Sequence, residues 1–155
     1  MSLEKAEAYL REKGYSDRIL IESRSTATVE LAAEALGTVP GRIAKSLTFM
    51  VNDRPVMILC AGDVKVDNAK YRAFFGVKAK MLSFEQVESL IGHAVGGVCP
   101  FGINPGVDVY LDRSLERFPT VFPACGSDNS CIELTLPELE ILSEYKEWID
   151  VTKQR

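Results

Sequence analysis

Residues 94–103 read Ala94-Val95-Gly96-Gly97-Val98-Cys99-Pro100-Phe101-Gly102-Ile103, three glycines and a proline among mostly apolar side chains. Glycine lets backbone approach a ligand and accepts positive φ. Proline fixes φ and removes a donor. The segment is poor as helix or strand and well suited to a rigid loop. Such a loop can aim the N–H groups of Gly96, Gly97 and Val98 at an oxygen gaining negative charge, as acyl transfer requires. The same composition also fits a plain turn between core strands. Cys99, inside the loop, has the chemistry of a nucleophile. Nothing adjacent in sequence supplies the base or lowered pKa that would activate it. His93 is the only histidine. Its type invites proton transfer, but its place just past an expected helix reads as a surface or capping residue.

The second chemical segment is Gly41-Arg42-Ile43-Ala44-Lys45-Ser46-Leu47-Thr48-Phe49-Met50-Val51, where one lysine interrupts an apolar run. Strand alternation puts Ile43, Lys45, Leu47 and Phe49 on one face and Ala44, Ser46 and Thr48 on the other. An ammonium on an apolar face is costly unless it is paired or sits at a cavity mouth. The alternative is a lysine whose stem packs while its head reaches water.

Lys45-Ser46, followed downstream by Gly96-Gly97-Val98-Cys99-Pro100, resembles the YbaK/ProX family of aminoacyl-tRNA deacylases, found also as the editing insertion of bacterial prolyl-tRNA synthetases. The likeness continues through Val121-Phe122-Pro123-Ala124-Cys125-Gly126 and Ile132-Glu133-Leu134-Thr135, and covers roughly residues 19–145. It implies hydrolysis of the ester between a wrong, small amino acid (alanine-like or cysteine) and a tRNA such as tRNA-Pro. It implies that Lys45 holds the 3′-terminal nucleotide and that Gly96, Gly97, Val98 and Pro100 form the oxyanion loop. It places Thr26, Thr28, Val29, Ser46, Cys99, Ala124 and Gly126 at the substrate pocket. The implied partners are the aminoacylated 3′ end of tRNA and a cognate aminoacyl-tRNA synthetase, with no DNA and no membrane. No cofactor or metal is implied, and no general base is evident. Where Cys-tRNA deacylases have a serine before the glycine of the late strand, this chain has Ala124-Cys125-Gly126-Ser127. Hydroxyl assistance at that point is therefore not expected. The competing function is a non-catalytic module of the same fold that binds tRNA ends or a synthetase.

These residues need a scaffold. A chain of 155 residues with 46% hydrophobic and 26% charged residues fits one globular domain, 1–155. No apolar run approaches the ~20 residues that span a bilayer. Met1-Ser2-Leu3-Glu4-Lys5 carries no signal-peptide pattern. Cysteines at 60, 99, 125 and 131 form no Cys-x-x-Cys pair, which argues against structural zinc and for a reduced, cytoplasmic protein. The net charge of −4 counts against a surface that grips a whole tRNA.

Helices are expected over 2–13, with Ser2 as its cap, and over 28–36, 67–75, 83–91 and 137–145, from the Asp67 cap, the Ser83–Gln86 capping box, stops at Gly14, Gly37 and Gly76, and a start at Pro137. Strands are expected at 19–21, 43–51, 56–61, 78–82, 107–111, 120–123, 131–135 and 148–151, with a hairpin turn at 52–55. The resulting fold is α/β of the α+β type: a mixed, largely antiparallel, barrel-like sheet with peripheral helices, as in YbaK/ProX.

Overall fold

The computed structural model describes residues 2–155. Met1, on which part of the N-terminal reading falls, lies outside them. In chain order the elements are α1 (Ser2–Glu12), β1 (Ile19–Ile21), α2 (Val29–Leu36), β2 (Ile43–Val51), β3 (Arg54–Ala61), β4 (Val64–Val66) and α3 (Asn68–Phe75). The one-turn α4 (Phe84–Gln86) follows, then β5 (Asp108–Asp112), β6 (Thr120–Pro123), β7 (Ser130–Ile132), β8 (Leu134–Thr135), α5 (Leu136–Ser143), β9 (Trp148–Ile149) and β10 (Thr152–Gln154).

Local chemistry accounts for most boundaries. Thr28 Oγ1 accepts the Leu31 N–H to open α2, and Gly37 closes it at φ 67°. Asp67 accepts the Ala69 and Lys70 N–H groups to open α3. Asn52 and Asp53, both at positive φ, make a two-residue turn, so Arg54 and Pro55 already belong to β3. The β2–β3 hairpin then pairs from Ala44↔Ala61 to Val51↔Arg54.

The main sheet has strand order β8-β6-β2-β3-β5-β9 and curls into a half-barrel. It is mixed: β2/β6, β3/β5 and β5/β9 run parallel, while the long hairpin and β6/β8 run antiparallel. Two further antiparallel ladders, β1/β7 and β4/β10, stand apart from it as two-stranded sheets. The central strand β3 is buried on both faces. Met57 and Leu59 enter the main core with Ala6 and Leu10 of α1, and Val56 and Ile58 pack with Tyr71 of α3.

Several elements differ from expectation. Residues 78–82 form only a single bridge, Phe49↔Met81, instead of a strand. The 131–135 strand breaks into β7, which pairs with β1, and β8, which pairs with β6. Glu133, at the break, binds Thr120 Oγ1 and Arg42 instead. The helix from residue 84 opens with its capping box but widens to a π turn over Val87–Ile91. The last strand splits into β9 and β10 because the buried Asp112 carboxylate takes the Val151 N–H and the Thr152 hydroxyl. Ser2 is the first helical residue, and its hydroxyl does not cap α1; it reaches His93.

Candidate active site

A cleft of about 250 Å³ lies between the start of α2, the first half of β2 and the 95–98 loop. Drug-sized ligand sites run to roughly 300–1,000 Å³, so this one suits a small group. Of the residues singled out in the sequence, Thr26, Thr28, Val29, Lys45, Ser46, Gly96, Val98 and Ala124 line it together. Gly97, Cys99, Pro100 and Gly126 are not among its lining residues. Pro100 faces a different surface groove, beside Tyr9. Sequence reasoning missed Ala27, Ala32, Met81, Leu82, Phe84, Val87, Val95, Phe122 and Cys131. They come from five separate segments, and only the folded sheet gathers them.

The walls are small and apolar at Ala27, Val29, Ala32, Ala44 and Ala124. Four hydroxyl side chains, of Thr26, Thr28, Ser46 and Thr48, interrupt them. Thr26 Oγ1 and Ser46 Oγ are buried and make no hydrogen bond of normal geometry. The Cys131 thiol beside Thr26 is raised by burial, and the threonine hydroxyl offsets part of that rise. No carboxylate and no histidine lines the cleft.

Lys45 is half-buried, and its ammonium donates to the Val64 carbonyl while its side chain still lines the cleft. Burial holds its pKa below the ordinary lysine value. Asp63, the nearest carboxylate acting on it by charge, is already engaged by Arg117 at 2.5 Å.

The glycine loop is braced from beneath. Gly97 donates its N–H to the Ala94 carbonyl at 3.1 Å, closing a turn. That N–H is thus committed, contrary to the expectation that it serves the oxyanion. The N–H groups of Gly96 and Val98 have no hydrogen-bond partner among the described residues. Gly96 sits at φ 101°, a conformation that favours glycine. A Cβ at Gly97 would stand 2.4 Å from the Gly126 carbonyl carbon, and one at Gly126 would stand 2.5 Å from the Ser2 carbonyl oxygen. Loop, β6–β7 connection and α1 therefore stack backbone on backbone.

His93 corrects the sequence reading. It is buried, 1% exposed, not a surface or capping residue. Nε2 lies 2.7 Å from the Phe101 carbonyl, and Nδ1 lies 2.6 Å from Ser2 Oγ. A carbonyl only accepts, so Nε2 carries the proton and Nδ1 accepts from the serine hydroxyl. The ring is neutral, and burial lowers its pKa. Cys99 Sγ is 3.5 Å from the same Nε2. A protonated nitrogen cannot take the thiol proton, and burial pushes that thiol up to about 12. His93 and Cys99 are thus supports of the loop. Among the described residues no helix is long and apolar enough to cross a membrane.

Comparison with known proteins identifies the family. The family model described as an aminoacyl-tRNA editing domain matches residues 23–142. A Bacillus subtilis (strain 168) protein, YwhH, described as uncharacterized, is 50% identical over 154 residues, covering 99% of this chain and 98% of its own length. A proline–tRNA ligase of Lactiplantibacillus plantarum is 24% identical over 125 residues, covering 80% of this chain. The matched part is only 22% of that ligase. A crystal structure of a proposed trans-editing enzyme for prolyl-tRNA synthetase superposes with a TM-score of 0.88 at 29% identity, covering 98% of this chain and 97% of the other. With the editing-domain model spanning most of its length, the chain belongs to the aminoacyl-tRNA editing domain family, the YbaK/ProX family.

Proposed function

We propose that the protein is a trans-acting hydrolase that deacylates mischarged aminoacyl-tRNA. One observation carries the reading: Gly96 and Val98, whose backbone N–H groups have no partner among the described residues, line the same small cleft as Lys45. The aminoacyl group enters the cleft and water attacks the ester carbonyl. The new C–O bond turns the carbonyl oxygen into an oxyanion, which the Gly96 and Val98 donors stabilise. One such donor is worth about 2.7–4 kcal/mol of barrier. The C–O bond to the ribose then breaks, and the ribose hydroxyl leaves with the proton given up by the water. No carboxylate or histidine lines the cleft and the Lys45 ammonium is engaged by the Val64 carbonyl, so a substrate group, the amino group or the neighbouring ribose hydroxyl, relays that proton. Lys45 holds the 3′-terminal nucleotide through phosphate or ribose oxygen.

The alanine-rich walls favour a small side chain, alanine-like or cysteine, carried on a tRNA such as tRNA-Pro. One methylene is worth only about 1–3 kcal/mol of discrimination, so selectivity among small residues is graded. The setting is the cytoplasm, alongside a cognate synthetase. The test is a deacylation panel of tRNAs charged with alanine, serine, threonine, cysteine and 2-aminobutyrate. The expected result is catalysed release of a small residue and none of the correct one. Tight binding of charged tRNA with no release from any member would instead establish a non-catalytic module.

A further inference from the structure

Phe84 is the most exposed large apolar side chain among the described residues, at 75%. It does not stand alone. Met81, 59% exposed, and Val95, 47% exposed, line the mouth of the same cleft. Single exposed apolar residues are ordinary; three around one opening are a surface with a use. The backbone beneath them is fixed. The Ser83–Gln86 capping box, with contacts of 2.9 and 3.2 Å, holds the turn bearing Phe84. Met81 is pinned to β2 by its bridge to Phe49. The ring is therefore carried on a fixed turn and is mostly exposed.

What covers it follows from the chemistry of the ester. An aminoacyl group in the cleft is joined to a ribose, and that ribose carries a base. The base must come to rest beside the cleft, and Phe84 lines that cleft with an exposed ring. Charge agrees: Glu85 and Glu88 border the groove on the far side of Phe84. Two carboxylates repel phosphate but accept hydrogen bonds from the amino group of an uncharged base. We propose that Phe84, flanked by Met81, is the platform on which the terminal adenine of the tRNA stacks. The inference rests on the reading of the cleft as the aminoacyl site.

Two measurements test it. Removing an aromatic stacking partner costs roughly 1–3 kcal/mol, or about 5- to 150-fold in affinity. In single-turnover deacylation, Phe84→Ala should raise the half-saturating tRNA concentration by that factor and leave the plateau rate near wild type, while Phe84→Tyr restores saturation. An exposed residue costs little stability on truncation, and a thermal melt confirms the fold. Separately, the added indole of Phe84→Trp should be quenched by adenosine monophosphate and not by ribose 5-phosphate. If the wild type deacylates and Phe84→Ala saturates like it, the platform is wrong and the proposed function stands. If the wild type is inactive yet the indole is quenched, the platform holds on a binding module. Neither deacylation nor quenching defeats both.

Discussion

Gly97 rests directly on the backbone of Gly126, with room for a hydrogen and nothing more: a Cβ there would also lie 2.5 Å from the Ser127 nitrogen. Backbone cannot swing aside as a side chain can. Gly97→Ala should therefore lower stability by about 1–3 kcal/mol, as overpacking does. It should also displace the neighbouring Gly96 and Val98 donors. A shift of about 1 Å at such a site costs on the order of 10²-fold in rate. Gly96→Ala is the informative companion. Its Cβ meets nothing closer than 3.8 Å, but its φ of 101° strains any side chain. Denaturant melts and deacylation rates for both would show equal loss of activity with different causes. A Gly97→Ala protein as active and as stable as wild type would falsify the stacking account.

Lys45 gives a charge-based prediction. Lys45→Ala should fold and lose about 10²-fold in deacylation, the scale of misplacing the ester by about 1 Å. The pH dependence follows from its lowered pKa. The ammonium is lost as pH rises through that lowered value, before a free lysine would lose its proton. Affinity for uncharged tRNA should therefore weaken on the alkaline side earlier than an ordinary lysine predicts. Lys45→Arg, which stays charged, should remove that limb of the profile even if the arginine fits poorly.

The neutral, buried His93 predicts an acid limb in stability. Its folded pKa lies below the ordinary value of 6.5, so below that value the unfolded chain binds more protons than the native one. Stability should therefore fall as pH drops below about 6.5 and level off once the folded pKa is passed. His93→Gln, which retains one donor and one acceptor, should flatten this limb between pH 7 and 5. Melting temperatures across that range decide it. Cys99→Ala should keep most activity at a stability cost of about 1 kcal/mol, and the native thiol should resist alkylation. A folded, inactive Cys99→Ala would point to covalent catalysis.

Part of the positive charge that could meet a nucleic acid backbone is already engaged. Arg18, Arg24, Arg42, Arg54 and Arg117 are each paired with a carboxylate, and the net charge is −4. The salt dependence of tRNA binding should be shallow, equivalent to about two to four phosphate contacts, with Lys45→Ala reducing it by about one. Titration of binding against salt measures this. A steep slope, with losses spread over Lys65, Lys70 and Lys78, would mean that the protein tracks the acceptor stem.

Much of this was legible in the sequence because local chemistry set it. Caps at Thr28, Asp67 and Ser83 and stops at Gly37 and Gly76 located three of the helices, and Pro137 marked the start of a fourth, whose Thr135 cap the structure adds. The period-2 run around Lys45 located β2. What escaped depended on partners far along the chain. Nothing near Val151 shows that Asp112 will capture its N–H and break the last strand in two. Nothing near His93 shows that Ser2, 91 residues earlier, will meet it at 2.6 Å and bury it. In the loop, pattern identified the glycines but could not say which N–H the Ala94 carbonyl would consume.

The β1/β7 ladder joins residues 19–21 to residues 130–132, and the cleft is lined both by Thr26, which follows β1 in the chain, and by Cys131 of β7. During synthesis the chain emerges from one end only. Lys45, the hairpin and even the glycine loop all leave the ribosome before the segment that closes the wall. Contacts of such long sequence separation also form slowly. A nascent or truncated chain ending before residue 130 thus carries nearly every chemical group of the site and no site at all. Such a fragment should neither hydrolyse nor sequester charged tRNA needed by the translating ribosomes around it.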